Sequence, residues 1–421
     1  GQKDTVIFSH SSGFYNEQIE LSLTNNTKDV IYYSLDGSFP KTKYSKPIVI
    51  KNSTTVRVKN KKSLKGYTQN YIFKKHSLPV VCLTINPPDL YDPISGIYVK
   101  GNNASPDPPY HGANFHKGWE KSAYIEFIDT NNVSEINQKV GVKIFGQYST
   151  MLPQKSFAVY ARKKYGDKRI RYSLFPEFKK KKYKSFLLRN SGSDYCNTHF
   201  RDAMITSLVK EMNFEKQAHR SCVVYLNGEY WGIYHLREKI TEHFIQQHSD
   251  YHRDSISILK YRGQRQHNGK MNYNRMISFI TKSDFSIKKN IDSLDKLMDI
   301  DNYLDYNIAQ VYINNIDAGG NIRFWRPTKK HGKWRWILFD TDFGFGLSKA
   351  NGYSQNTVKD YFTPSNRKWP YPNWSTLIIR RLIQNDSIKE LYLKKFNYHL
   401  NHTFHSDSVI SHINEFKLKL E

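Results

Sequence analysis

The first 76 residues alternate between apolar and polar positions. Runs at period two recur in Gln18–Leu23, Val30–Ser34, Pro47–Ile50, Thr55–Val58 and Tyr71–Phe73. That period puts every second side chain on the same face of a strand. Asn25-Asn26 and Asp36-Gly37-Ser38 separate the runs, and these residue types favour turns. Short strands at this spacing predict a small all-β sandwich over residues 1–76. Lys74–Pro79 reads as a linker. From residue 79 to 421 strand-like and helix-like segments mix, which predicts one large α+β domain.

Within that domain, Val140–Phe145 and Lys155–Tyr160 read as strands, with the loop Gly146–Thr150 after the first. Phe200–Asn213 places Ala203, Leu208, Val209 and Met212 at helical spacing. Cys222–Leu236 reads as a hairpin turning at Asn227-Gly228, a pair suited to two-residue turns. Asp301 is expected to cap a helix through Tyr312, with Leu304, Ile308, Val311 and Tyr312 on its apolar side.

The candidate chemistry lies in residues 314–346. A loop, Asn314–Asn321, contains Asp317. A strand Ile322–Arg326, a turn at Thr328–Gly332 and a return strand Lys333–Phe339 follow, ending in Asp340-Thr341-Asp342-Phe343-Gly344. With the turn centred near residue 330, antiparallel pairing sets residue 321 opposite 339. Asn321 then meets Asp340, and the Asp317 loop meets Asp342. Three carboxylates and a carboxamide at one hairpin end suit a hard divalent cation such as Mg²⁺ or Mn²⁺. The order of helix, Asp loop with a nearby Asn, two strands and Asp-Phe-Gly is also that of protein kinases. There, one carboxylate takes the proton of the attacking hydroxyl while metal offsets charge on phosphoryl oxygens. The plain alternatives are a turn-forming Asp317 and a solvated strand end at which Asp340 and Asp342 share a face.

Composition adds less. Net charge is +26, from 64 Lys and Arg against 38 Asp and Glu. It reads either as compositional bias spread along a Lys-rich chain or as a basic surface for polyanionic partners. Lys179–Lys182 is the densest run. No apolar stretch nears the roughly 18 residues of a membrane span. Cys82, Cys196 and Cys222 are too few and scattered for a disulfide framework or a zinc site. Cys196 and Cys222 read as buried thiols, or as a pair in an oxidising compartment.

Longer motifs then narrow the choice. Phe186–Asp194, Arg201-Asp202-Ala203, Val224–Tyr234, Leu236–Ile240 and Trp336–Gly346 together resemble the running pattern of the spore-coat CotH-type kinase family, over residues 79–421. Ile31–Pro40 resembles the Ig-like module at the C-terminus of chitobiases. The first resemblance implies an atypical protein-kinase-like fold, ATP with Mg²⁺ or Mn²⁺, and transfer to Ser/Thr of a protein substrate. It makes Asp317 the catalytic residue and Asn321, Asp340 and Asp342 metal ligands. Lys155 would be the nucleotide lysine, and Gly146, Gln147, Tyr148 and Ser149 part of a short phosphate-covering loop. Arg237 and Glu238 would lie on the nucleotide side. The second resemblance implies export, hence an extracytoplasmic setting; with the high positive charge it makes a polyanionic surface or glycan a further partner, and nucleic acid is not expected. Ala318-Gly319-Gly320 departs from the Trp-Pro-like pair usual after the catalytic Asp, and Gly146 is the single glycine of its loop. Two other functions compete: a nucleotide-sugar transferase using Asp340-Thr341-Asp342, and a non-catalytic surface protein.

Overall fold

In a computed structural model, residues 5–27, 29–62, 66–178, 181–269, 272–348 and 351–420 are described. Lys179 and Lys180 of the basic run lie outside them. The chain mixes helices and sheets, with an all-β region first. It divides into two compact units. The first is Gly1–Gly192 with Arg220–Arg237 and Leu420, and the second is Ser193–His219 with Glu238–Lys419 and Glu421.

The first unit opens on antiparallel strands. Ile31–Ser34, Thr54–Asn60 and Gly66–Ile72 pair side by side, and Ile19–Leu21 pairs with Ile48–Ile50. Leu21, Ile50, Val56, Val58 and Tyr71 fill the space between, the face that period-two alternation predicts. Then, among the described residues, seven strands close a barrel. Val80–Ile85 pairs antiparallel with Lys121–Ile128 on one side and parallel with His219–Leu226 on the other. The hairpin turn at Asn227-Gly228 is as expected: both residues have positive φ, 54° and 90°, the backbone that Asn-Gly tolerates.

The second unit is built round the helix Ile300–Tyr312. Its N-cap is Asp299, whose side chain accepts from Asn302 N at 3.0 Å; Asp301, the expected cap, lies inside the first turn. Ile300, Tyr303, Leu304, Ile308 and Val311 join a core that includes Phe324, Trp334, Trp336 and Leu338. Polar positions are buried as well, and Asn302 Oδ1 accepts from Trp336 N at 2.7 Å. The strands Arg323–Pro327 and Arg335–Leu338 pair as Arg323↔Ile337 and Trp325↔Arg335, the register that a turn centred at 330 requires. The helix expected over 200–213 runs only over Arg201–Leu208. The second predicted strand near Lys155 begins one residue later, at Ser156. Cys82 and Cys222 are buried, whereas Cys196 is exposed, and all are free thiols.

Candidate functional site

The long helix ends at Tyr312, and Asn314 turns the chain with φ 48°. Tyr371 Oη donates to Asn314 Oδ1 at 2.7 Å and holds that turn. Asn315 Oδ1 then accepts from Asp317 N at 3.1 Å, and Asp317 O accepts from Gly320 N and Asn321 N, both at 3.0 Å. Asn residues form such side-chain turns readily. The result is a tight loop in which Asn321 Nδ2 donates to Asp317 Oδ2 at 2.7 Å.

The loop has little room. A Cβ on Gly319 would meet Pro372 Cδ at 2.7 Å and Pro370 O at 2.8 Å. One on Gly320 would lie 2.8 Å from Asp317 Oδ1 and 3.6 Å from the Trp369 ring. The Ala318-Gly319-Gly320 departure therefore has a local reason: the Trp369–Pro372 segment occupies the space that larger residues would need.

The other arm of the site leaves the sheet early. The return strand ends at Leu338, and Asp340 has φ 57°. Asp340 and Asp342 are thus not alternating positions of one strand, and the face-sharing expected of them fails. Asp202 positions this segment instead: its Oδ1 accepts from Thr341 N at 2.8 Å and from Thr341 Oγ1 at 3.0 Å. Ser193 N donates to Asp342 Oδ2 at 2.6 Å. Arg201 Nη1 reaches Gly344 O at 3.2 Å and Phe345 O at 3.0 Å, while its Nε pairs with buried Asp194 at 3.2 Å. A Cβ on Gly344 would press on Ile205 Cδ1 at 3.0 Å and Thr341 O at 3.1 Å. Arg201-Asp202 opens the helix Arg201–Leu208, where a first-turn Asp also suits the helix dipole. Its task is to hold Asp-Thr-Asp-Phe-Gly in place, and only the tertiary contact reveals that.

The two arms meet electrostatically. Burial first, then the charges of Asp340 and Asp342, push the Asp317 carboxyl up to about 7, against a smaller opposing effect from the Asn321 hydrogen bond. Burial lowers the Arg323 guanidinium to about 10, and nearby Asp340 partly offsets this. Among the described residues, no three or more His, Cys, Asp or Glu side chains are gathered into a group able to hold a metal ion. The convergence expected of three carboxylates is therefore one of charge, not a closed ligand cage. The donor chemistry still fits Mg²⁺ or Mn²⁺. The Asn321 carboxamide has its nitrogen committed to Asp317, which leaves oxygen for a hard cation. Mg²⁺ commonly takes only one or two carboxylates and completes its shell with phosphate and water.

The residues expected to face the nucleotide fall mostly in the first unit. Gly146 has φ 121°, and Tyr148–Met151 form a short 3₁₀ turn. Lys155 is buried, and its Nζ donates to Thr150 O at 2.6 Å and Leu152 O at 2.8 Å. The ammonium also lies near the Phe115 and Tyr98 rings, 4.7 and 5.2 Å from their centroids. Burial lowers its pKa to about 8. Arg237 is fully buried. In the second unit, Glu238 Oε2 accepts from Ala218 N at 3.0 Å and contacts His248 Nε2 at 2.8 Å, so this carboxylate serves the local packing.

A family description of CotH kinase proteins matches residues 142–421. The chain belongs to the CotH kinase family. Residues 10–70 match the chitobiase/β-hexosaminidase C-terminal domain, in the region expected to be Ig-like. No curated protein matches this CotH-family chain. Among its described residues, no helix is long and apolar enough to cross a membrane.

Proposed function

We propose that this CotH-family chain transfers the γ-phosphoryl group of ATP to Ser or Thr hydroxyls of a protein, with Mg²⁺ or Mn²⁺, through a kinase-like arrangement of its second unit. The observation that carries the reading is Asp317: a half-buried carboxyl, hydrogen-bonded by Asn321, its pKa raised first by that burial and then by Asp340 and Asp342. When bound, ATP supplies the phosphoryl group and the cation offsets its charge. Asp317 orients the acceptor hydroxyl and takes its proton, and a pKa close to the working pH suits that role. Asn321 fixes the rotamer of Asp317 and offers its own oxygen to the cation. Asp340 and Asp342 hold the cation, with Asp202 fixing the Thr341 backbone between them and Ser193 N orienting the Asp342 carboxylate. Resemblance to the family makes Lys155, the Gly146–Ser149 loop and Arg237 nucleotide residues, while the Glu238 carboxylate is already engaged by Ala218 N and His248.

The chitobiase-like module supports export, and the +26 charge supports an acidic surface or glycan as a further partner. Calorimetry with Mg²⁺ or Mn²⁺ tests the nucleotide. Binding of ATP that weakens sharply in Asp342→Asn is the expected result. Preference for a nucleotide-sugar, or no nucleotide binding with metal present, would overturn the reading.

A further inference from the structure

Arg323 has no task in the reading above, yet it stands at the site. It opens the strand that follows Asn321 and pairs in register with Ile337 and Lys260. Its guanidinium lies over the Phe339 ring, 4.4 Å from the centroid, and Asp340 is the next residue along. Such stacking fixes the plane of the fork. Among the described residues, Arg323 makes no side-chain hydrogen bond and no ion pair, and its donors are not sealed from solvent. Its strand neighbours differ. Arg326 donates to Pro327 O at 3.0 Å, and Arg335 pairs with Glu215 at 3.0 Å.

A half-buried cation with unspent donors is costly unless something arrives to use them. The position beside the carboxylates selects what that is. A cationic fork stacked on a ring matches two oxygens of a phosphate in a way that a lysine cannot. We propose that Arg323 is a phosphate-binding residue that contacts the outer oxygens of the phosphoryl group in transit. The inference rests on the phosphoryl-transfer reading of this site. In the step it serves, the acceptor oxygen bonds to the γ-phosphorus while the bond to the β–γ bridging oxygen breaks. That oxygen leaves on ADP with the electron pair, and the hydroxyl proton passes to Asp317. Charge spread over the outer oxygens is where a guanidinium contributes most.

The test pairs Arg323→Met, which keeps an unbranched stem on Phe339, with Arg323→Lys. Calorimetry with Mg²⁺ compares ADP with a non-hydrolysable ATP analogue, alongside kcat for phosphate transfer. The expected result for Arg323→Met is that affinity for the analogue drops about tenfold while affinity for ADP stays within about twofold, with kcat down about 100-fold. Arg323→Lys is expected to recover part of both losses, and it carries the test should Arg323→Met not fold. Equal losses for the two nucleotides, or kcat within about threefold of wild type, would overturn the role of Arg323 alone. A wild-type protein that binds no nucleotide would overturn the site reading beneath it.

Discussion

Asp317 sits where burial and charge both oppose ionisation, and that gives it a pH signature. Its native pKa, about 7, lies above the unfolded carboxylate value near 3.9. The folded state therefore favours the protonated form. This contribution to stability is complete below about pH 4 and is lost as pH rises through about 7. Urea unfolding in chelator between pH 5 and 8 is expected to show stability falling, with a shallower slope in Asp317→Asn. A second residue-scale prediction concerns Asp202, which touches the backbone of Thr341 but no reacting atom. Asp202→Ala is expected to lower kcat about 10- to 100-fold, the range seen when an outer partner of a metal ligand is removed, with the melting temperature checked in parallel. Asp317 is legible in sequence as a candidate because a helix, a loop and Asp-Phe-Gly stand in kinase order. Asp202 is not, because its partner Thr341 is remote in sequence and a first-turn Asp has a sufficient local explanation in the helix dipole.

At the scale of elements, the hairpin was the most readable part of the site. Antiparallel pairing leaves one register once the turn is located, and Thr328–Gly332 located it. What failed was the extrapolation beyond the strand. Asp340 adopts φ 57°, so the alternation ends before the two candidate carboxylates. The helix cap moved for a similar reason: Asp299 and Asp301 are equally plausible by type, and the packing of Ile300 into the core decides between them. The loop after the helix makes a sharper claim. Gly319 faces Pro372 and the carbonyl of Pro370, neither of which can yield cheaply. Gly319→Ala is expected to destabilise the protein by about 1–3 kcal/mol, measured by urea unfolding. A neutral or stabilising result would show that the Trp369–Pro372 segment does not pack there.

For the whole molecule, the N-terminal sheet and the barrel of the first unit are joined by buried polar contacts. Glu126 Oε2 accepts from Asn70 Nδ2 at 2.7 Å and Glu126 Oε1 from Ser134 Oγ at 2.5 Å, while Asn137 Nδ2 donates to Thr68 O at 2.7 Å. Burial raises the Glu126 carboxyl above its ordinary range, against the pull of those hydrogen bonds. Glu126→Ala strands the buried amide of Asn70, and a loss of about 1–3 kcal/mol is expected by denaturant unfolding; Glu126→Gln should lose less. Alternating strands announced the module, but nothing in their periodicity announced this seam, since an isolated Glu on a strand reads as solvent-facing.

Transfer of labelled γ-phosphate to a Ser-rich protein, with Mg²⁺ or Mn²⁺, tests the central claim most directly when wild type and Asp317→Asn are run side by side. The predicted result is labelling by wild type, and a drop of about 100- to 10,000-fold in Asp317→Asn while nucleotide binding persists. Equal labelling by the two proteins, or none by a wild type that binds ATP and metal, would contradict it.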